Sequence, residues 1–221
     1  MQKKMVIFDF DGTIWDSIKE VELNNIEKFK EEYRGQISIS ELYTHNVNIF
    51  FNLEKNRKEN EKRLVSDEEL ELVEKRYTER KRSTLPWQGV KELMQELKDK
   101  NILISLLSLT RSGNTDPLLE KHDFKKYFSD IIFGDNVLGK ISKVENFEYL
   151  LKKNNLVADE VVFVTDTLSD VREANSVGID TIAVTYGQHN REFFEREKNQ
   201  NVLFIVDSVS ELSEKLLNLI N

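Results

Sequence analysis

The 221-residue sequence predicts an α/β protein, a Rossmann-like parallel sheet with helices on both faces, plus a small all-helical domain inserted into it. Three observations carry that expectation. Short apolar runs rich in β-branched and aromatic residues recur along most of the chain, as buried parallel strands do. Amphipathic helical patterns alternate with them, the order a parallel sheet requires. Between residues 15 and 85 that alternation stops and only helical patterning remains.

The first predicted strand is Met5–Phe10, followed by Ile102–Leu107, Asp130–Phe133, Val161–Val164, Thr181–Val184 and Val202–Ile205. Helices fall between them. Val90, Leu93, Met94 and Leu97 recur at i, i+3, i+4 and i+7, one face of a 3.6-residue period. Val144, Phe147 and Leu151 give a second stripe, and Val171, Ala174 and Val177 a third that stops at Gly178, a residue suited to the left-handed position past a helix end. Val209, Leu212, Leu216 and Leu219 form the last, opened by Ser208-x-x-Glu211, the pattern of a capping box. In the segment 15–85, Ser17-x-x-Glu20 and Ser66-x-x-Glu69 read as two further capping boxes, and Leu70, Val73 and Tyr77 trace an apolar face. With 14 basic and 16 acidic residues, this segment does not differ from the rest in composition; periodicity alone separates it. The expected domains are therefore 1–14 with 86–221, the α/β core, and 15–85, the helical insertion.

Composition narrows the function. Hydrophobic residues make up 39% and charged residues 33%, enough apolar surface for a core and too much for a disordered chain. No apolar stretch reaches the roughly eighteen residues of a membrane helix, and no cleavable leader pattern opens the sequence. The absence of Cys removes disulfides, thiol catalysis and cysteine metal sites together. Three scattered histidines, His45, His122 and His189, offer no zinc site and no evident catalytic partner. A net charge of −8 argues against nucleic acid as a partner. The expectation is a cytoplasmic globular protein whose chemistry rests on carboxylates, hydroxyls and lysines. The basic cluster Lys75, Arg76, Arg80, Lys81 and Arg82 reads as a solvated helix face. Trp15 reads as a packed apolar residue where the insertion begins.

Carboxylates stand at the ends of two predicted strands. Asp9-Phe10-Asp11-Gly12-Thr13 closes the first, and Asp166, with Asp170 four residues on, closes Val161–Val164. Ligands of open α/β sheets bind at the carboxyl ends of strands. Asp-Gly by itself is an ordinary turn pair, and the segment lacks the ligands of an EF-hand loop. Two acidic strand ends, by contrast, can bring hard oxygen ligands together for one Mg²⁺. A further strand end carries Ser108-Leu109-Thr110, with hydroxyls and backbone amides. Lys140 and Lys143 precede or open a helix at the same sheet edge.

In order and spacing this set resembles the haloacid dehalogenase-like hydrolases, most of which are phosphatases. Asp9-x-Asp11-Gly12-Thr13 resembles the family's first motif, Ser108 the second, Lys143 the third, and Thr165-Asp166-Thr167-Leu168-Ser169-Asp170 the fourth. Ala174, Gly178 and Tyr186-Gly187 come after in the familiar places, and Leu85-Pro86-Trp87-Gln88-Gly89-Val90 resembles the return from an inserted cap to the core. The resemblance covers essentially the whole chain.

The resemblance implies a Mg²⁺-dependent phosphatase acting on a small phosphorylated metabolite. Asp9 would be the nucleophile that becomes an aspartyl-phosphate, and Asp11 the general acid and then base. Asp9, the Asp11 carbonyl and Asp166 would hold the metal, with Asp170 orienting the site or binding the metal through water. Ser108 and Lys143 would meet the phosphoryl group, with Gly12, Thr13 and Leu109 lining the substrate site. Segment 15–85 would be the cap that selects the substrate. The pattern departs from the family at Leu109, where Asn is common, and at Thr165, where Gly is usual. Thr110 is the alternative hydroxyl to Ser108, and Lys140 the alternative to Lys143, which is preferred because it heads the helical stripe. A carboxylate at Asp11 favours phosphoryl transfer over dehalogenation, where no alkoxide needs a proton. A sugar-phosphate mutase using the same intermediate and a binding protein on the same scaffold are the competing functions.

Overall fold

A computed structural model of the chain describes residues 2–17, 79, 81–135, 143–196 and 201–220. By its contacts the chain forms two compact units, Met1–Asp16 with Leu85–Asn221, and Ser17–Thr84. Most of the second unit lies outside the described residues, and with it the helical patterning expected for 15–85, both of its capping boxes, and Lys140. Of the basic cluster, Arg82 is exposed as expected but Lys81 is buried, which corrects the reading of that residue as part of a solvated face. Among the described residues no helix is long and apolar enough to cross a membrane.

The first unit is a parallel α/β sheet. Its strands are β1 (Met5–Phe8), β2 (Leu103–Leu107), β3 (Asp130–Ile132), β4 (Val161–Thr165), β5 (Asp180–Val184) and β6 (Val202–Val206). Its helices are α1 (Val90–Asp99), α2 (Ser112–Lys121), α3 (Val144–Asn154), α4 (Leu168–Ser176), α5 (Arg191–Arg196) and α6 (Val209–Ile220). The six described strands lie in the order β3-β2-β1-β4-β5-β6, and every pairing is parallel.

The two-residue period of a strand divides the core between the faces. Val6 and Phe8 of β1 join Ile104, Leu106, Val162, Val164, Ile182 and Val184 on one side, where the apolar stripes of α1 and α6 cover them. Met5 and Ile7 point the other way and meet Leu107, Val161, Phe163, and Phe147 and Leu150 of α3. With both faces covered, the strands read as continuous apolar runs rather than alternating ones, which is why they stand out in the sequence.

All six expected strands are present, with ends shifted by a residue or two. The largest difference is at β1, which stops at Phe8. There the chain turns tightly: the Phe10 carbonyl accepts from the amides of Thr13, Ile14 and Trp15, and Gly12 takes φ 72°. Gly178 takes φ 82° past the end of α4, as expected from its place after the stripe. The Ser208 box is half formed. Ser208 Oγ accepts from Glu211 N (3.2 Å), but the Glu211 carboxylate reaches back to Asp207 N (2.9 Å) rather than to Ser208. Trp15 is fully buried, stacked on Phe10 at 5.1 Å and edge-on to Phe124 at 5.6 Å.

Candidate active site

The strand order reverses at β1. The chain builds outward through β2 and β3, then crosses back to place β4 on the other side of β1. Ligands of doubly wound sheets sit at such a switch point, outside the carboxyl ends of the strands. Asp9 comes directly after β1 and Asp166 directly after β4, so the two carboxylates leave the sheet side by side; Asp9 N also donates to Val164 O (3.0 Å), continuing the β1–β4 ladder.

Lys143 occupies the position between them and α4. Its Nζ lies 2.9 Å from Asp9 Oδ1 and 2.5 Å from Asp170 Oδ2, with the side chain 2% exposed and the ammonium over the Phe163 ring at 5.2 Å. Thr165 Oγ1 also donates to Asp170 Oδ2 (3.0 Å). The Lys143 amide donates to Glu173 Oε2 at 2.5 Å. Asp170 and Glu173 lie three residues apart on α4, on one face of the helix. One face of α4 therefore holds Lys143 by both its side chain and its backbone.

Asp166 is fully buried and held on both oxygens. Thr13 Oγ1 donates to Oδ1 (3.3 Å) and Gln188 N to Oδ2 (2.8 Å). The loop carrying that amide runs close by: a Cβ at Gly187 would stand 2.4 Å from Asp166 Oδ2 and 2.5 Å from the Gly12 carbonyl. His189 locks the same loop to the start of α4. Its Nδ1 accepts from Leu168 N (3.0 Å), its amide donates to Asp166 O (3.2 Å), and its ring stacks on Phe193.

Asp11 sits at the mouth, half-buried, and accepts from Thr110 Oγ1 at 2.7 Å on Oδ2. Ser108 is buried, and its Oγ accepts from Thr110 N (3.2 Å). Of the residues expected to line the substrate site, Thr13 turns its hydroxyl onto Asp166, the Gly12 amide donates to Trp15 O (2.9 Å), and Leu109 is half-buried between Ser108 and Thr110.

The electrostatics of the site are a consequence of this crowding. Burial pushes the Asp9 carboxyl up to about 7; Lys143 pulls it down, and the charges of Asp170 and Asp11 add to the rise. Burial, with the Asp9 charge next, raises Asp166 well above the carboxylate range. Burial also opposes the charge on Lys143, but Asp170 and Asp9 outweigh it and hold the ammonium pKa above its ordinary value. Among the described residues no three Asp, Glu or His side chains converge on one point. Asp9 and Asp166 remain as adjacent buried carboxylates facing a single lysine, while Asp170 is directed to Lys143 and Thr165.

Three residues of the site are not evident in the sequence. Glu173 and His189 carry no motif signal; His189 bonds to backbone groups of Leu168 and Asp166, so its part here is to hold the loop. The rule that flags Asp9 and Asp166, attention to the residues just past a strand end, leads equally from β5 to the 185–189 loop. Thr110 stands in the sequence only as an alternative to Ser108.

A doubly wound sheet of this order, with acidic strand ends at its switch point, defines the protein as an α/β protein with a carboxylate-rich site, and sequence comparison states its family. The model of the haloacid dehalogenase-like hydrolase family matches residues 6–184, and the chain belongs to that family. It is a phosphoric monoester hydrolase within it. The chain is 24% identical over 95% of its length, and 78% of the relative's, to a phosphoglycolate phosphatase of Pseudomonas savastanoi pv. phaseolicola. It is 30% identical over 57% of its length, and 54% of the relative's, to a phosphoglycolate phosphatase of Vibrio parahaemolyticus. Among solved structures, a haloacid dehalogenase-like family hydrolase from Streptococcus pneumoniae superposes with a TM-score of 0.69 at 15% identity, covering 96% of this chain and 98% of that one.

Proposed function

We propose that the protein is a cytoplasmic, Mg²⁺-dependent phosphatase that hydrolyses a small phosphorylated metabolite through an aspartyl-phosphate on Asp9. The observation that carries the reading is the seat of Asp9: a buried carboxylate at the switch point, 2.9 Å from a lysine ammonium. A carboxylate is a weak base but a competent nucleophile toward phosphorus once repulsion between anions is offset. Lys143 supplies one positive charge, fixed by Asp170 and Thr165, where the phosphoryl oxygens of the intermediate would lie. Asp11, two residues on at the half-buried mouth, fits the acid that protonates the leaving alkoxide and the base that then takes a proton from water.

The donor set suits Mg²⁺. Asp9 and Asp166 are hard oxygen donors, pushed toward protonation by burial and by neighbouring carboxylates, Asp170 and Asp11 for Asp9 and Asp9 for Asp166, the condition that a divalent cation relieves. Mg²⁺ keeps several waters and is commonly held by one or two carboxylates, so the side chains of Asp9 and Asp166 with the Asp11 carbonyl suffice. Bound there, the ion would screen the approach of phosphate to carboxylate. In this reading Asp170 acts through Lys143, and Thr13 holds Asp166. The residues 15–85 act as the cap that selects the substrate. The names carried by the relatives make 2-phosphoglycolate the first substrate to test.

Phosphate release from p-nitrophenyl phosphate and 2-phosphoglycolate, with Mg²⁺ and with EDTA, tests the reading. Wild type is expected to require Mg²⁺ and to form a phosphoryl adduct visible by rapid-quench mass spectrometry. Asp9→Asn is expected to lose about 10³-fold or more in kcat and to form no adduct. Full activity of Asp9→Asn would overturn the assignment.

A further inference from the structure

We propose that the Thr110 hydroxyl is a positioning group for Asp11, assigning one oxygen of that carboxyl to the proton transfers of both half-reactions. The inference rests on the reading of Asp11 as general acid and base, and deepens it.

The geometry is specific. Thr110 Oγ1 lies 2.7 Å from Asp11 Oδ2, the ordinary distance for a well-formed hydroxyl donor. The donor's own backbone is anchored independently of its side chain. Thr110 N donates to Ser108 Oγ (3.2 Å), and Thr110 O accepts from Gly134 N (3.0 Å), which ties the loop after β2 to the end of β3. The hydroxyl is thus presented from a braced loop to a residue 99 positions earlier in the chain. Asp11 itself lies in a tight turn after β1, in a loop whose carbonyls and amides are bonded among themselves. Its backbone is set, and the Thr110 hydroxyl bears on the side-chain rotamer. An acid–base group that must meet a leaving oxygen gains rate only when its rotamer is held within a fraction of an ångström.

Chemistry makes the choice of oxygen consequential. A protonated carboxyl has one oxygen that accepts and one that carries the proton. With the Thr110 O–H donating to Oδ2, Oδ2 is the accepting oxygen and Oδ1 carries the proton. In the first half-reaction an Asp9 oxygen forms its bond to phosphorus as the bond from phosphorus to the leaving oxygen breaks, and that oxygen takes the proton from Asp11 Oδ1. In the second, water oxygen forms a bond to phosphorus and gives its proton to Asp11 Oδ1. The Asp9–phosphorus bond breaks, inorganic phosphate leaves, and Asp9 is restored as a carboxylate. The Thr110 hydroxyl keeps its own proton throughout, so a single fixed oxygen gives a proton and then takes one back.

Leaving-group dependence tests this, because kcat/KM reports only the steps through the first P–O cleavage. An alkyl leaving group needs the proton; p-nitrophenolate hardly does. The measured quantity is the ratio of kcat/KM for 2-phosphoglycolate to that for p-nitrophenyl phosphate. Thr110→Val is expected to lower the ratio by about tenfold, a part of the ~10²–10⁴ that general acid catalysis contributes. Thr110→Ser, which keeps the hydroxyl, is expected to restore it. Asp11→Asn is measured alongside. If Asp11→Asn lowers the ratio and Thr110→Val does not, the positioning role is overturned while the acid role stands. If Asp11→Asn itself leaves the ratio unchanged, or wild type turns over neither ester, the reading of Asp11 fails and the inference with it. A ratio lowered equally by Thr110→Ser and Thr110→Val also overturns it, since packing and not the hydroxyl would be responsible.

Discussion

Gly187 decides how closely two loops can approach. A side chain there would meet Asp166 Oδ2 at 2.4 Å and the Gly12 carbonyl at 2.5 Å, both in a buried setting with no flexible tip to yield. Gly187→Ala is therefore expected to cost about 1–3 kcal/mol in urea unfolding, the range for forcing atoms into a packed interior. It is also expected to raise the Mg²⁺ concentration for half-maximal activity, because the loop that gives Gln188 N to Asp166 must move. Wild-type stability and Mg²⁺ dependence in this variant would show the contact to be relaxed at no cost. Lys143 is the second decisive residue. Lys143→Ala leaves Asp9 and Asp170 buried without their cation, and kcat is expected to fall about 10²–10³-fold, as when a preorganised electrostatic donor is removed. At this scale the sequence is partly legible. Asp9, Asp166 and Lys143 are recognisable because each stands beside a strand end or helix start. Thr110's partner Asp11 and Glu173's partner Lys143 lie 99 and 30 residues away, and no local pattern encodes such pairings.

Among the elements, α4 does the most positioning. It presents Asp170 to the Lys143 ammonium and Glu173 to the Lys143 amide, so one helix face sets where α3 begins. Glu173→Ala is expected to lower kcat by about tenfold through displacement of Lys143. Glu173→Gln, whose amide oxygen can still accept from Lys143 N, is expected to recover most of that loss. Steady-state kinetics on the two variants separates a lost acceptor from a lost charge. Lys3 serves the opposite end of the sheet. Its buried ammonium donates to the carbonyls of Asp159 (2.9 Å) and Val161 (2.9 Å) and pairs with Asp180 (2.7 Å), tying the entries to β4 and β5 together. Lys3→Met is expected to lose about 2–4 kcal/mol of stability, since it strips several buried acceptors of one donor. Helix α2 shows where the periodicity reading falls short. It contains Pro117 and buries only Thr115, Leu118 and Leu119, too few to trace a stripe.

For the whole molecule, folding and ligand binding are linked. An ion that binds only the folded chain stabilises it by mass action, about 2.7 kcal/mol at a hundred times its dissociation constant. Mg²⁺ is expected to raise the melting temperature of the wild type and to leave that of Asp166→Ala unmoved; an equal rise in both would place the ion elsewhere. Acid acts at the sheet's edge. Thr185 Oγ1 (2.5 Å) and Arg191 (2.9 Å) hold Asp207 below its ordinary pKa, the hydroxyl bond contributing most. Because the folded pKa is depressed, this stabilisation is present above the ordinary value of 3.8 and fades as pH falls through the folded one. Asp207→Asn is expected to be less stable than wild type at pH 7 by at most about 1 kcal/mol, given its exposure, with the gap closing in acid.

What the sequence by itself determined is what short range can encode: six apolar strands, the stripes of α1, α3, α4 and α6, and acidic residues where β1 and β4 end. Burial on both faces makes such strands continuous and therefore visible. The tertiary structure decided the rest. It set the order β3-β2-β1-β4-β5-β6, which brings Asp9 beside Asp166, and it turned Asp170 to Lys143 and Thr13 to Asp166. It also gave Thr110 to Asp11. Strand order and hydrogen-bond partners depend on which distant segments meet, and that is settled by packing two faces of one sheet at once, not by the pattern within any segment.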